Sequence, residues 1–497
     1  MNLSIQQQAI VDWTKNGKGS AFVEAVAGAG KTTTLLELLS ATKGPVAFAA
    51  YNKAIATEIK EKVAKLGLGP RVNVGTFHSF GFNAWRKIHP DVKVDAREKE
   101  KRTTEFLRQS NAANLDGFVR KLASLAKQRA LGVFGSTADL SKWFEIVDHF
   151  DLAFEIEDEA QIERGVNLAI RVLELHVQWA DKLIDFDDMI YMPLVSGCKM
   201  WENDWVLVDE AQDTNPARRA LARKMLRQGG RGVFVGDRHQ SIYGFSGADS
   251  NAIDLIVKDF SCKILPMTTT YRCPKAVVSA AQAFVSHIVA ADSAPEGVVR
   301  TIHANDLPTE SLTAADAVLC RNTKPLVEMA YTLIRKGVAC HVEGRDIGAG
   351  LLKLVDRFKA NSLPNLIGKL EDFAERESEK LIAKGKETQA EALLDKIETI
   401  RTIAAGSSDI FQLKSKIQNL FLDAEFEAKP TLTLSTVHRS KGREWNRVFL
   451  LGHDTLMPSR YARQEWQKQQ ENNLIYVAYT RSKSELILVD LPASPKG

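Results

Sequence analysis

Lys31, Thr32, Asp209, Glu210, Gln240, Arg272 and Arg481 are the side chains whose types and settings could together handle a polyphosphate. Lys31 and Thr32 close the run AGAGKTT, which fits the phosphate-binding pattern G-x-x-x-x-G-K-[ST] except that Ala25 stands at the first glycine. The chemistry tolerates that change, because what it needs is a backbone that curls close around oxygens. Ala27, Gly28, Ala29 and Gly30 carry no bulk, so successive N–H groups can face an anion at the start of a helix that contains Thr32 and Thr33. Lys31 would reach the β- and γ-phosphates and Thr32 would ligate Mg²⁺. Asp209 and Glu210 follow the apolar run WVLV, where one carboxylate can hold Mg²⁺ and its neighbour can take a proton from water. Gln240 is a neutral donor suited to orienting that water, and Arg272 and Arg481 are permanently charged forks that could stabilise a transferring phosphoryl group. Taken singly, each has an ordinary alternative: a glycine-rich turn, strand-end acids, surface arginines.

These groups need strands that end at them. Phe22 to Val26, residues 45–50, Val72 to Thr76 and Trp205 to Val208 read as short buried strands, and RGVFVG (231–236) as another. Amphipathic helical runs alternate with them, which is the signature of a parallel α/β sheet. A second α/β segment begins near Leu265 and includes a strand–helix–strand unit over 315–344. It resumes with TLTLSTVHRSKGREW, RVFLLG and LIYVAYTRSKSELILVDL. Between these stretches glycine becomes scarce and charge dense. The expected organisation is two α/β cores, each interrupted by a helical insertion: 1–85 and 177–264 for the first core around 86–176, and 265–358 and 430–497 for the second around 359–429. The second insertion reads as a solvated helical hairpin held by i,i+4 ion pairs.

Composition sets outer bounds. A chain of 497 residues exceeds what one hydrophobic core supports, and 44% hydrophobic with 26% charged residues is an ordinary globular mixture. The net charge of +4 permits a polyanionic partner without demanding one. Five scattered cysteines with no C-x-x-C pair argue against a disulfide framework or a zinc site and favour a reducing compartment. The N-terminus lacks signal-peptide regions and no apolar run reaches about eighteen residues, so the expectation is a cytoplasmic protein, nuclear if the source has a nucleus, with no membrane partner.

The ordered series AGAGKTT, TFHSF, DFDDM, VLVDEAQDT, VGDRHQSIYGFSGA, TYRCP, LSTVHRSKGREW and LIYVAYTR resembles superfamily 1A DNA helicases of the UvrD/Rep type, with YNKAIA and TFHSF nearer the F-box DNA helicase branch. The motifs span residues 3 to 481. The resemblance implies two RecA-like domains with ATP between them, and Mg-ATP hydrolysis driving 3′-to-5′ translocation along single-stranded DNA and duplex unwinding. By motif, Gln7 contacts adenine and Tyr271 stacks on it, although a glutamine in a QQQ run is by itself an ordinary solvated residue. Lys31, Thr32 and Asp209 hold phosphate and Mg²⁺, and Glu210 is the base. Gln240, Arg272 and Arg481 sense the γ-phosphate, and Glu444 lies near the nucleotide. On the DNA side stand Asn52, His78, Tyr243, Phe245 and His438, with aromatic stacking that tolerates any base.

The sequence also departs from the family pattern. Ser246 replaces an arginine, Ala50 replaces an aromatic beside Tyr51, and Asn472 and Asn473 replace basic residues. The second insertion is short, and nothing nuclease-like follows Arg481, so the motor is expected to stand alone. Partners implied are single-stranded DNA, single-strand/duplex junctions, and single-strand-binding or replication and repair proteins. Three other readings stay open: a translocase that strips proteins from DNA, an ATP-controlled binding switch, and RNA as the track.

Overall fold

The structure is a computed structural model that describes residues 3–150, 152–156, 158–243, 251–336, 338–383, 387–422, 431–462 and 464–491. The chain divides into two compact units, residues 1–26 with 30–267 and residues 27–29 with 268–497. Six strands build the first unit's sheet: β1 (Ala21–Ala25), β2 (Val46–Ala49), β3 (Val72–Gly75), β4 (Asn203–Val208), β5 (Leu226–Gly236) and β6 (Lys263–Met267). They lie in the order β3-β2-β4-β5-β1-β6, and every pairing is parallel. The centres of β1, β2 and β4 are buried on both faces, as the near-continuous runs AFV, VAFA and WVLV require, whereas the edge strands β3 and β6 carry exposed residues.

Leu265 does not open the second core. It lies within β6, paired to Val23 of β1, and the division between units falls after Met267. The boundaries read at 85/86 and 176/177 fall inside helices Phe77–Ile88 and Glu159–Trp179. Composition changes before a helix ends, whereas capping decides where it starts and stops. Thr76 and Ser79, for example, form a reciprocal capping box that starts the first of these helices.

The first insertion packs helices Ala96–Gln109, Asp116–Gln128, Leu140–His149 and Glu159–Trp179 around buried Trp143, Leu122, Val119, Val166 and Leu173. Lys93–Val94 pairs with Leu183–Ile184 beside it. The DFDDM run then supplies Asp185 and Asp188 to two buried lysines from the insertion. Lys127 Nζ lies 2.8 Å from Asp185 and 2.7 Å from Asp188, and Lys99 bridges the same pair. Burial pulls both lysines' proton affinity down. The two carboxylates overcome this at Lys127, which is raised, whereas Lys99, repelled by Lys127, falls to about 8.

The main sheet of the second unit has seven parallel strands: β7 (Val298–His303), β8 (Ala317–Cys320), β9 (Cys340–Glu343), β10 (Phe421–Leu422), β11 (Leu432–Thr436), β12 (Trp445–Leu451) and β13 (Ser482–Asp490). Their order is β7-β13-β12-β8-β11-β9-β10. The short insertion here is not a solvated hairpin. Helices Leu363–Ala383, Glu387–Ala404 and Ile410–Leu420 send Leu366, Leu370, Phe373, Ile397, Ile400, Ile403, Leu413 and Ile417 into one core with Val318, Val342 and Leu434 of the sheet. Asp395 also caps helix Thr323–Arg335 by accepting from the backbone N–H groups of Thr323 and Lys324 at 2.9 and 3.0 Å. The dense surface charge of this stretch hid an apolar stripe of helical spacing. Among the described residues, no helix is long and apolar enough to cross a membrane.

Because Ile400 is fully buried in that shared core, Ile400→Ala is expected to lower stability by about 2–5 kcal/mol, read by urea denaturation. Ile382→Ala, at a 45% exposed position, should change it by no more than about 0.5 kcal/mol. Equal small effects at both positions would restore the hairpin picture.

Candidate functional site

In a parallel sheet, loops at the carboxyl ends of adjacent strands converge. β4, β5 and β1 are neighbours here, and their exits carry Asp209–Gln212, Asp237–Gln240 and the glycine-rich loop before Lys31. Lys31 Nζ lies 3.2 Å from Glu210 Oε1 and 3.3 Å from Oε2. Gln212 Nε2 donates to Glu210 Oε2 at 2.5 Å, and Gln212 Oε1 accepts from the Asp237 N–H at 3.1 Å. Gln240 Nε2 in turn donates to Asp237 Oδ2 at 2.6 Å. One hydrogen-bonded network therefore joins Lys31, Glu210, Gln212, Asp237 and Gln240.

Glu210 sits in the left-handed region with φ +50° and ψ +45°, a strained backbone for a residue with a Cβ, costing about 1–2 kcal/mol. Its N–H donates to Asp209 Oδ1 at 2.9 Å. Burial, with the Glu210 charge next, pushes the Asp209 carboxyl up to about 7 against the pull of Lys31. Burial likewise lowers the affinity of Lys31 for its proton, but Glu210, Asp237 and Asp209 outweigh it and the net shift is upward. A buried Asp209 and a half-buried Glu210 with one lysine carry surplus negative charge. With the Thr32 hydroxyl on the first turn of helix Lys31–Ala41, this is a hard-oxygen donor set that fits Mg²⁺.

That helix begins at Gly30 in the left-handed region, φ +81°, without a side-chain cap, and Thr32 and Thr33 are half-buried on its first turn. A Cβ on Gly30 would come within 3.0 Å of Gln7 Nε2. Gln7 is 7% exposed rather than solvated. Its Nε2 donates to Thr34 Oγ1 at 3.1 Å and its Oε1 accepts from the Ser4 N–H at 3.0 Å, closing the capping box of helix Ile5–Asn16.

The loop tip Ala27–Ala29 groups with the second unit. The Ala27 N–H donates to Tyr476 Oη at 2.9 Å, and the Gly28 carbonyl accepts from the Tyr271 N–H at 2.9 Å. Gly28 has φ +71° and no room for a Cβ, which would lie 2.5 Å from Arg272 Cβ. The Tyr271 ring is half exposed and available for stacking. Arg272 Nε bonds Glu444, and its Nη1 reaches the Thr480 carbonyl at 3.5 Å. Arg481 is 1% exposed. Its Nε donates to the Val477 carbonyl at 2.9 Å and its Nη1 to the Arg443 carbonyl at 3.1 Å, so its fork is held by backbone.

The residues assigned to DNA separate into groups. His78 and Tyr243 line one polar cavity of about 170 Å³ in the first unit, together with Tyr51, Lys127, Gln128, Asp187, Asp213 and Arg218. Burial and the nearby Arg218 lower His78 to about 4, so it is neutral at pH 7. Asn52 is on the surface and caps helix Lys53–Lys65, its Oδ1 accepting from the Ile55 N–H at 2.9 Å. His438 follows β11 in the second unit, half-buried, and is lowered to about 4 by burial and Arg321. Phe245 and Ser246 lie outside the described residues. Asn473 is buried and accepts from Gln469, so that change from a basic residue falls away from solvent, while Asn472 is exposed.

Sequence reasoning missed Gln212, Asp237, Arg218 and Lys127. The first two lie inside quoted motifs, and their polarity between apolar strands was the available signal. Arg218 and Lys127 sit in helices with no local sign of a cavity. Tyr51, beside Ala50, is in the cavity wall.

Asp209 also links stability to pH. A carboxyl whose folded value is raised binds more protons folded than unfolded, so its contribution is complete below the unfolded value and is lost as pH rises through about 7. In protein freed of Mg²⁺ and nucleotide, the advantage of Asp209→Asn in urea denaturation should therefore grow from pH 4.5 to pH 8. A constant difference would contradict the buried, shifted acid.

A family profile described as the UvrD/REP helicase N-terminal domain matches residues 3–261, more than half of the chain, and one described as the UvrD-like helicase C-terminal domain matches residues 431–489. F-box DNA helicase protein 1 of Schizosaccharomyces pombe is 25% identical over 528 aligned residues, covering 98% of this chain and 57% of that protein. The ATP-dependent DNA helicase Rep of Escherichia coli is 24% identical over 311, covering 58% and 44%. A probable DNA helicase of Mycoplasma pneumoniae is 24% identical over 509, covering 95% and 81%. The chain thus spans about half the length of the Rep and F-box relatives it matches. With its two parallel α/β units and the ordered motifs in their loops, the chain belongs to the UvrD/REP helicase family.

Proposed function

We propose that this chain is an ATP-dependent DNA helicase and single-stranded DNA translocase, moving 3′ to 5′ on Mg-ATP hydrolysis. The observation that carries the reading is the network from Lys31 through Glu210, Gln212 and Asp237 to Gln240, built on three adjacent strand ends. Thr32 and Asp209 would hold Mg²⁺, which when bound neutralises charge on the phosphate oxygens. Glu210 is the general base for the attacking water, oriented by its strained backbone and by Gln212. A phosphate that draws Lys31 away leaves Glu210 free to accept the proton. Gln240, fixed on Asp237, is placed to respond to the γ-phosphate. Tyr271 and Gln7 are assigned to adenine, and Arg272 and Arg481 to transition-state charge once they exchange Glu444 and the backbone carbonyls for phosphate.

On the DNA side, Tyr51 and Tyr243 supply stacking faces and Arg218 a permanent cation within one cavity, which suits sequence-independent grip on a single strand. His78, neutral at pH 7, serves as a hydrogen-bonding wall rather than a phosphate counter-charge. Arg218 offers a cation in the cavity wall of a chain that has Ser246 in place of the family's arginine. The domain scheme that accompanies this reading is two motor domains, a larger helical insertion in the first and a short one in the second.

ATP hydrolysis measured with and without single-stranded DNA tests the reading. Stimulation by DNA is expected, and Glu210→Gln should lower turnover by about 10²–10⁴-fold. Turnover indifferent to both would overturn it. Duplexes with 3′ or 5′ single-stranded tails then test polarity, the 3′-tailed one being unwound. Arg218→Gln should weaken single-strand affinity and reduce the salt slope of log Kd by about one phosphate contact; an unchanged slope would remove Arg218 from the DNA track.

A further inference from the structure

A second cavity lies in the first unit, apart from the residues assigned to nucleotide or DNA. It measures about 350 Å³ and is lined by Asn73, Phe80, Asn83, Ala84, Arg86, Lys87, Met200, Trp201, Asn203 and Met225. Asn203 is the first residue of β4. The walls are therefore set at the amino end of the strand whose carboxyl end carries Asp209 and Glu210, so the cavity cannot be an extension of the catalytic loops. β3, which contributes Asn73, is the edge strand of the sheet.

Its chemistry is specific. Phe80, Ala84, Met200 and Met225 are buried and form an apolar floor. Trp201 stands at the rim 66% exposed, a large apolar surface to leave in water. Lys87 Nζ lies 5.6 Å from its ring centroid, and Arg86 and Lys87 are both exposed. No carboxylate is among the lining residues; the nearby Asp204 is engaged by Arg227 at 2.7 Å, and exposed Glu202 follows Trp201 in the chain outside the lining. Asn203 is not spare. Its Nδ2 donates to the carbonyls of Trp201 at 2.9 Å and Met225 at 3.2 Å, which holds the two walls together.

We infer that this cavity is a docking site for a short acidic peptide segment of a partner protein, carrying one aromatic or large aliphatic anchor. The anchor would enter the apolar floor against Trp201, and the acidic residues would meet Arg86 and Lys87 on the rim. Charge complementarity selects the occupant: a pair of rim cations beside an apolar floor suits one anchor flanked by carboxylates. A single nucleic-acid strand would need a cationic groove that tracks its backbone over several phosphates. Two methionines in the walls let the floor adapt to anchors of different shape.

The test uses the full chain and a synthetic decapeptide of four aspartates around one central phenylalanine with glycine and serine spacers. Binding is followed by the fluorescence anisotropy of a fluorescein label on the peptide. Saturable binding that weakens about tenfold in Trp201→Ala supports the site, that being the ordinary loss for truncating an aromatic anchor. In Arg86→Gln with Lys87→Gln, binding should likewise weaken and lose most of its salt dependence. Trp201 is exposed and the two neutralised side chains are on the surface, so these variants should melt within a few degrees of the wild type. If Trp201→Ala fails to fold, the charge-neutralised variant and a peptide with glycine replacing phenylalanine carry the same test. No binding at millimolar peptide, equal binding by both variants, or binding of an oligothymidylate but not the peptide at this cavity would each overturn the proposal. Because the readout is peptide binding, it stands apart from failure of the ATPase reading.

Discussion

Asp209 and Glu210 are adjacent carboxylates at a buried strand end, and a sheet can tolerate that only if something offsets their charge. Lys31 does so directly, and the rest of the first unit is arranged to bring it there. β1 must end beside β4 with β5 between them, so the order β4-β5-β1 is a requirement of the site rather than a detail of topology. Gln212 and Asp237 then spread the load to the exit of β5. Buried charges linked in this way hold one geometry, because removing a partner leaves an uncompensated ion. The same linkage gives the cluster its responsiveness: any anion that competes for Lys31 changes the charge felt by both acids.

A second buried charge network shows a different use of the same physics. Lys99 and Lys127 from the first insertion reach Asp185 and Asp188 of the DFDDM run, so this motif knits the insertion to the sheet-bearing body. Asp187, between them, faces the other way into the cavity shared by Tyr51, His78, Arg218 and Tyr243, and accepts from Ser124 at 2.5 Å. One five-residue run thereby serves both an internal clasp and a cavity wall. Lys127 also belongs to both, which ties the position of the insertion to the shape of that cavity.

The second unit follows another logic, in which apolar packing leads and charge secures. Its short insertion is held by a common core with the sheet, and Arg321, at the end of β8, meets Glu471 at 2.9 Å and Glu391 of the insertion at 3.2 Å. Such an insertion is part of the body of its unit. The expectation of a solvated hairpin failed because charged residues crowd the outer faces of these helices, so average polarity concealed a stripe that only its spacing revealed.

By itself the sequence determined the class of fold and the list of candidate site residues. Strand-length apolar runs ending in polar loops, alternating with helical periods, leave little besides parallel α/β sheets, and AGAGKTT, DEAQDT and GDRHQ carry their chemistry in residue type and local spacing. Local spacing cannot report what arrives from elsewhere in the chain. Gln212 as a bridge between Glu210 and Asp237, Gln7 as a buried amide on Thr34, and Arg218 and Lys127 as cavity walls depend on strand order and on helices far apart in sequence. The burial of Arg481 on its own unit's carbonyls is likewise a matter of packing. Tertiary structure decided these because a side chain's partners and solvent exposure, which set its charge state and its reach, are properties of the assembled neighbourhood.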